Sequence, residues 1–66
     1  MKATEEQFAA YIEVRDGGET NMFDVRRVIE LAQDYSDVRL SREECLDIMH
    51  NFDAYKEAYP DVSTDR

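Results

Sequence analysis

The chain has one cysteine, one proline, two glycines, one histidine and no tryptophan in 66 residues. With Cys45 alone, no disulfide forms within the chain, which excludes the covalent staple of many small domains. His50 has no second histidine or thiolate near it in sequence, so a tetrahedral zinc site lacks its ligands. No apolar run is long enough to span a bilayer. The opening Met1-Lys2-Ala3-Thr4-Glu5-Glu6 lacks the apolar stretch of a signal peptide. The expected compartment is the cytoplasm, where Cys45 stays reduced.

Basic residues are also scarce. Eight Lys and Arg face sixteen Asp and Glu, for a formal charge of -8. Nucleic-acid affinity comes largely from clustered cations that neutralise phosphates, so this balance disfavours a simple nucleic-acid binder. It favours a basic protein partner, or no strong electrostatic partner at all. At this length the chain is one domain, residues 1–66, with a small core.

What the sequence does contain is helical periodicity. Phe8, Tyr11 and Ile12 fall on one face of a first helix over about 5–15, with Thr4 and Gln7 in capping-box spacing and Gly17-Gly18 as its stop. A second helix is expected over about 22–35, capped by Asn21, with Met22, Val25, Val28, Ile29, Ala32 and Tyr35 as its stripe. Arg26, Arg27, Glu30 and Asp34 lie opposite. A third is expected over about 42–59. It opens on the capping box Ser41-Arg42-Glu43-Glu44, with Leu40 and Cys45 placed as a hydrophobic staple. Cys45, Ile48, Met49, Phe52, Tyr55 and Tyr59 carry its stripe to Pro60, and 60–66 reads as a frayed tail. No strand pattern, repeat or low-complexity stretch competes. The predicted fold is all-α: a small three-helix bundle with a helix-turn-helix-like hairpin.

No constellation carries catalytic or metal chemistry, and no cofactor is expected. Cys45 in the first turn of a helix has a nucleophile's position, but it falls on the apolar stripe, which assigns it to the core. His50 lies off the stripe, among acids. Asp16-Gly17-Gly18-Glu19 has carboxylates where a phosphate loop needs lysine. The acids lie on faces expected to be exposed, with ordinary pKa values, so paired acid catalysis is disfavoured and the chain is read as a non-enzyme.

Two surfaces remain. Glu43, Asp47, Asp53 and Glu57 form an acidic outer strip on the third helix, suited to imitating the charge line of a nucleic acid, with Tyr55 or Tyr59 as an apolar anchor. Tyr11, Tyr55, Tyr59 and Phe23 are candidates for an exposed aromatic patch, because three helices cannot bury every ring. Against this stand Arg26, Arg27, Arg39 and Arg42, which would meet phosphates if the second and third helices formed a DNA-binding hairpin. Glu43, Glu44 and Asp47 have the wrong sign for that reading.

The stretch Gly18-Glu19-Thr20-Asn21-Met22-Phe23-Asp24-Val25 resembles a recurring element of short phage and prophage proteins. Leu40-Ser41-Arg42-Glu43-Glu44 and Ile48-Met49-His50-Asn51-Phe52 resemble their C-terminal helix, and the similarity covers roughly residues 7 to 59. The resemblance implies a phage-encoded inhibitor of a bacterial host's defence proteins, of the anti-CRISPR kind, acting in the host cytoplasm. The leading expectation is therefore an inhibitor that binds a basic or nucleic-acid-binding host protein through its acidic helical surface. The alternatives are a small helix-turn-helix DNA-binding regulator and a self-assembling structural protein, the latter a homodimer or larger species through leftover aromatic surface.

Overall fold

A computed structural model describes residues 1–17 and 24–62. Among them are four helices and no strand: α1 (Glu5–Gly17), α2 (Val25–Ser36), α3 (Arg42–His50) and α4 (Phe52–Ala58). The all-α class and the small helical bundle are as expected. The expected third helix, however, is two.

Both capping boxes form. The Thr4 N–H donates to Gln7 Oε1 at 2.8 Å, and the Gln7 N–H donates to Thr4 Oγ1 at 3.2 Å. At α3 the Ser41 N–H donates to Glu44 Oε1 at 3.0 Å, and the Glu44 N–H donates to Ser41 Oγ at 3.1 Å. The two boxes are joined, because Gln7 Nε2 donates to Glu44 Oε1 at 2.8 Å and to the Arg39 carbonyl at 3.1 Å. One amide therefore ties the start of α1 to the start of α3. Its two partners are a carbonyl of the connection before α3 and the carboxylate of the α3 capping box.

The second helix starts later than its stripe suggests. Asp24 is its N-cap, accepting from the Arg27 N–H at 3.3 Å, and the helix runs from Val25. The expected cap Asn21, with Met22, Phe23 and Gly18, lies outside the described residues. Its buried residues are Val28, Leu31 and Ala32, whereas Tyr35 is 41% exposed. The core stripe is thus rotated toward Leu31 from the expected one. The helix ends at Asp37, in the left-handed conformation (φ 55°) that closes helices. There its N–H donates to the Gln33 carbonyl at 2.9 Å and its carboxylate accepts from Gln33 Nε2 at 2.8 Å. Asp pays less than most residues for this conformation, because its short side chain bonds locally.

The break at Asn51 follows from local chemistry. Asn51 (φ -121°, ψ 35°) ends α3 and starts α4. Its amide donates to the Asp47 carbonyl at 3.2 Å and to Asp47 Oδ1 at 3.0 Å. Asn side chains compete for backbone groups in this way, which makes them poor helix interiors. The bend turns α4 so that Phe52, Tyr55 and Tyr59 wrap around Phe8 of α1, with ring centroids 5.7, 5.4 and 6.2 Å away. Phe8, Ile48, Val28, Cys45 and Tyr55 are fully buried, and Leu40 nearly so. Aromatic contacts at this range add to the area they bury.

Candidate functional site

The Ser41 capping box fixes where α3 begins. Helical periodicity then brings Glu43, Leu46, Asp47 and His50 toward one side of it. These four and Lys2 line a shallow depression. Lys2 belongs to the non-helical segment that precedes α1. Its main-chain N–H donates to Asp47 Oδ2 at 2.9 Å, and its Nζ stands 4.0 Å from Glu43 Oε1.

Asp47 is the hub of this site. Besides the Lys2 N–H and the Asn51 amide, its carboxylate accepts from the Tyr55 hydroxyl. The Lys2 N–H foremost, then the Tyr55 hydroxyl, hold its carboxyl below the ordinary aspartate range. Partial desolvation opposes them, and the N-terminal charge and Asn51 assist. The expectation of an ordinary, freely exposed acid at Asp47 is therefore corrected. Its charge is engaged by the protein itself. Burial, followed by this same bond to Asp47, raises the Tyr55 phenol above its ordinary value.

Tyr55 is corrected as well. It is 0% exposed, its ring stacked on Phe8 and its oxygen accepting from the Ala3 N–H at 2.9 Å. A side chain so enclosed is no surface anchor. Tyr11, expected in an exposed patch, is also buried, at 6% exposure. Tyr59 is half-buried against the rings of Phe8 and Tyr55, and Phe23 lies outside the described residues. The α4 rings share one cause of burial, their packing around Phe8 of α1.

Of the acidic strip, Glu43, Asp53 and Glu57 are exposed. They do not form one helix's strip. The break at Asn51 divides them into Glu43 with Asp47 on α3, and Asp53 with Glu57, four apart, on α4. Arg26, Arg39 and Arg42 are exposed. Arg27 is exposed too, and it donates to Glu30 at 3.0 Å on its own helix. A second depression, between α2 and the turn before α3, is lined by Ile29, Glu30, Gln33, Asp34, Arg39 and Leu40.

Cys45 is fully buried and its thiol is pushed up by desolvation, which suits a core residue rather than a nucleophile. Among the described residues, no group of His, Cys, Asp and Glu is arranged to hold a metal ion, and no helix is long and apolar enough to cross a membrane. No family model matches the chain, and no match is found among curated proteins or solved structures.

Lys2, Leu46 and Asn51 are the residues that sequence reasoning did not select. Leu46 carried a faint signal, as a leucine standing off the apolar stripe among acids. Asn51 carried one too, as a poor helix former inside a long predicted helix. Lys2 carried none, because its partner lies 45 residues away.

Proposed function

We propose that this chain is a non-enzymatic binding protein that inhibits a basic, nucleic-acid-handling host protein by covering its cationic groove with an acidic helical surface. The phage-protein resemblance supplies the direction, toward a host-defence target of the CRISPR kind. The observation that carries the reading is the exposure of Glu43, Asp53 and Glu57 on capped or packed helices of a chain with formal charge -8. Carboxylates held on short rigid helices keep their spacing when they meet a partner. Complementary charge raises the rate of encounter and suppresses wrong partners.

Such a complex weakens with salt, because exposed charges are screened beyond roughly 10 Å at 0.1 M. The test is capture from a bacterial host lysate by the tagged chain at low and high salt, beside a Glu43→Lys, Asp53→Lys, Glu57→Lys variant. Asp47 is left unchanged, since reversing it would also disturb Tyr55. The expected result is a nucleic-acid-binding protein retained at low salt, released at high salt and not retained by the variant. Full retention by the variant would overturn the proposal.

A further inference from the structure

The acidic side of α3 already has an occupant, and it is the chain's own segment Met1–Thr4. The Lys2 N–H meets the Asp47 carboxylate at 2.9 Å. The Lys2 ammonium stands 4.0 Å from Glu43. The Ala3 N–H donates to the buried Tyr55 oxygen at 2.9 Å. Leu46 and His50 complete the depression beneath. This strap therefore displays the chemistry that the face accepts: a non-helical backbone offering an N–H to one acid, with a cationic side chain reaching the acid one turn away.

We infer that the acidic side of α3 is a docking site for a non-helical, lysine- or arginine-bearing segment of a partner protein, and that the Met1–Thr4 strap occupies it when the partner is absent. This rests on the reading of the chain as an acidic binding protein, and it names which of the two acidic helices binds. The strap is held in two unequal ways. At Ala3 the tie is buried. At Lys2 the side chains are 63% and 81% exposed, and ion pairs of that kind contribute little and are screened by salt. The Lys2 end is thus displaceable, and an incoming guanidinium offers Glu43 a stronger forked contact than the lysine it replaces. An aspartate is a carboxylate at neutral pH, so Asp47 accepts from either occupant.

The strap also sets the affinity. A site occluded by its own chain binds with its intrinsic affinity multiplied by the fraction of time it is open, so a strap closed nine-tenths of the time weakens binding roughly tenfold. The test uses the full chain and a blocked peptide of the strap's own sequence, Met-Lys-Ala-Thr, followed by amide NMR at low salt. Lys2→Pro removes both the N–H that meets Asp47 and the ammonium. Lys2→Glu keeps the N–H but repels Glu43, and serves if the proline disturbs the fold.

The expected result is several-fold tighter peptide binding by either Lys2 variant than by the natural chain, with the resonances of Glu43, Leu46, Asp47 and His50 moving. Glu43→Lys should abolish it. Equal affinity for the natural chain and both Lys2 variants would overturn the strap. Peptide-induced shifts centred on Asp53 and Glu57 would overturn this placement while leaving the acidic-surface reading in force. An absence of binding by every variant at low salt would overturn both.

Discussion

Replacing Tyr55 by Phe removes one oxygen and almost no volume, so its cost isolates the polar tie beneath the aromatic core. The ring keeps its stacking on Phe8 at 5.4 Å. What is lost is the acceptor for the Ala3 N–H, in a bond that is buried, with Ala3 itself only 6% exposed. A buried donor left without a partner costs about 1–3 kcal/mol. The half-exposed Asp47 carboxylate can replace the phenol with water, so the Ala3 amide dominates the loss. About 2 kcal/mol is large here, because a chain of 66 residues has a total stability of roughly 3–10 kcal/mol at ~0.05–0.15 kcal/mol per residue. For a domain this small, each kcal/mol lowers Tm by about 4–8 °C, so Tyr55→Phe should melt roughly 8–16 °C below the natural chain. Urea and thermal unfolding followed by circular dichroism measure both quantities. Tyr59→Phe, on a half-buried ring, is the control and should cost less than about 0.5 kcal/mol. A Tyr55→Phe loss no larger than that control would refute the assignment of Tyr55 as the anchor of the N-terminal segment.

Asp47 makes stability depend on pH in a definite sense. Its carboxyl is lowered in the folded chain, so its contribution is complete above the ordinary aspartate value near pH ~4 and disappears as pH falls through the lower folded value. Urea midpoints should therefore decline on acidification within that window, and the decline should be shallower in Asp47→Asn; identical slopes would contradict the bond network. Cys45, buried and with its thiol pushed up, should react with a thiol reagent only as fast as the chain opens, and rapidly in denaturant. Rapid labelling of the native protein would contradict its burial. Ser41→Ala should cost about 1 kcal/mol, since it removes the oxygen that caps the Glu44 N–H. Chemical denaturation would show it, and a neutral effect would mean that the capping box is not holding the start of α3.

Much of the fold was legible because its signals are local. The boxes at Thr4–Gln7 and Ser41–Glu44 form between residues three apart, and both were readable from residue type and spacing. The same holds for the Phe8, Tyr11 and Ile12 stripe, and for Leu40 and Cys45, which are both buried. The sequence predicts one continuous third helix because Ile48, Met49, Phe52, Tyr55 and Tyr59 keep helical spacing through Asn51. Apolar periodicity does not register a side chain that turns back onto the preceding turn, as Asn51 does onto Asp47. The rings of Tyr55 and Tyr59, expected at the surface, are covered because they pack against Phe8. In α2, spacing alone favoured a stripe through Tyr35, but burial selects Leu31, which depends on where α1 and α3 sit. The acidic strip was legible by composition, yet its division between α3 and α4, and the engagement of Asp47 by Lys2 and Tyr55, depend on contacts between distant parts of the chain.

The central claim is that exposed carboxylates, and not a catalytic group or the arginines, carry the function. Capture from host lysate by the natural chain, by the Glu43, Asp53 and Glu57 charge-reversal variant, and by an Arg26→Ala, Arg39→Ala, Arg42→Ala variant tests it most directly. The account predicts one salt-sensitive nucleic-acid-binding protein, retained by the natural chain and the arginine variant and lost from the charge-reversal variant. Retention that survives charge reversal but fails on removal of the arginines would contradict it.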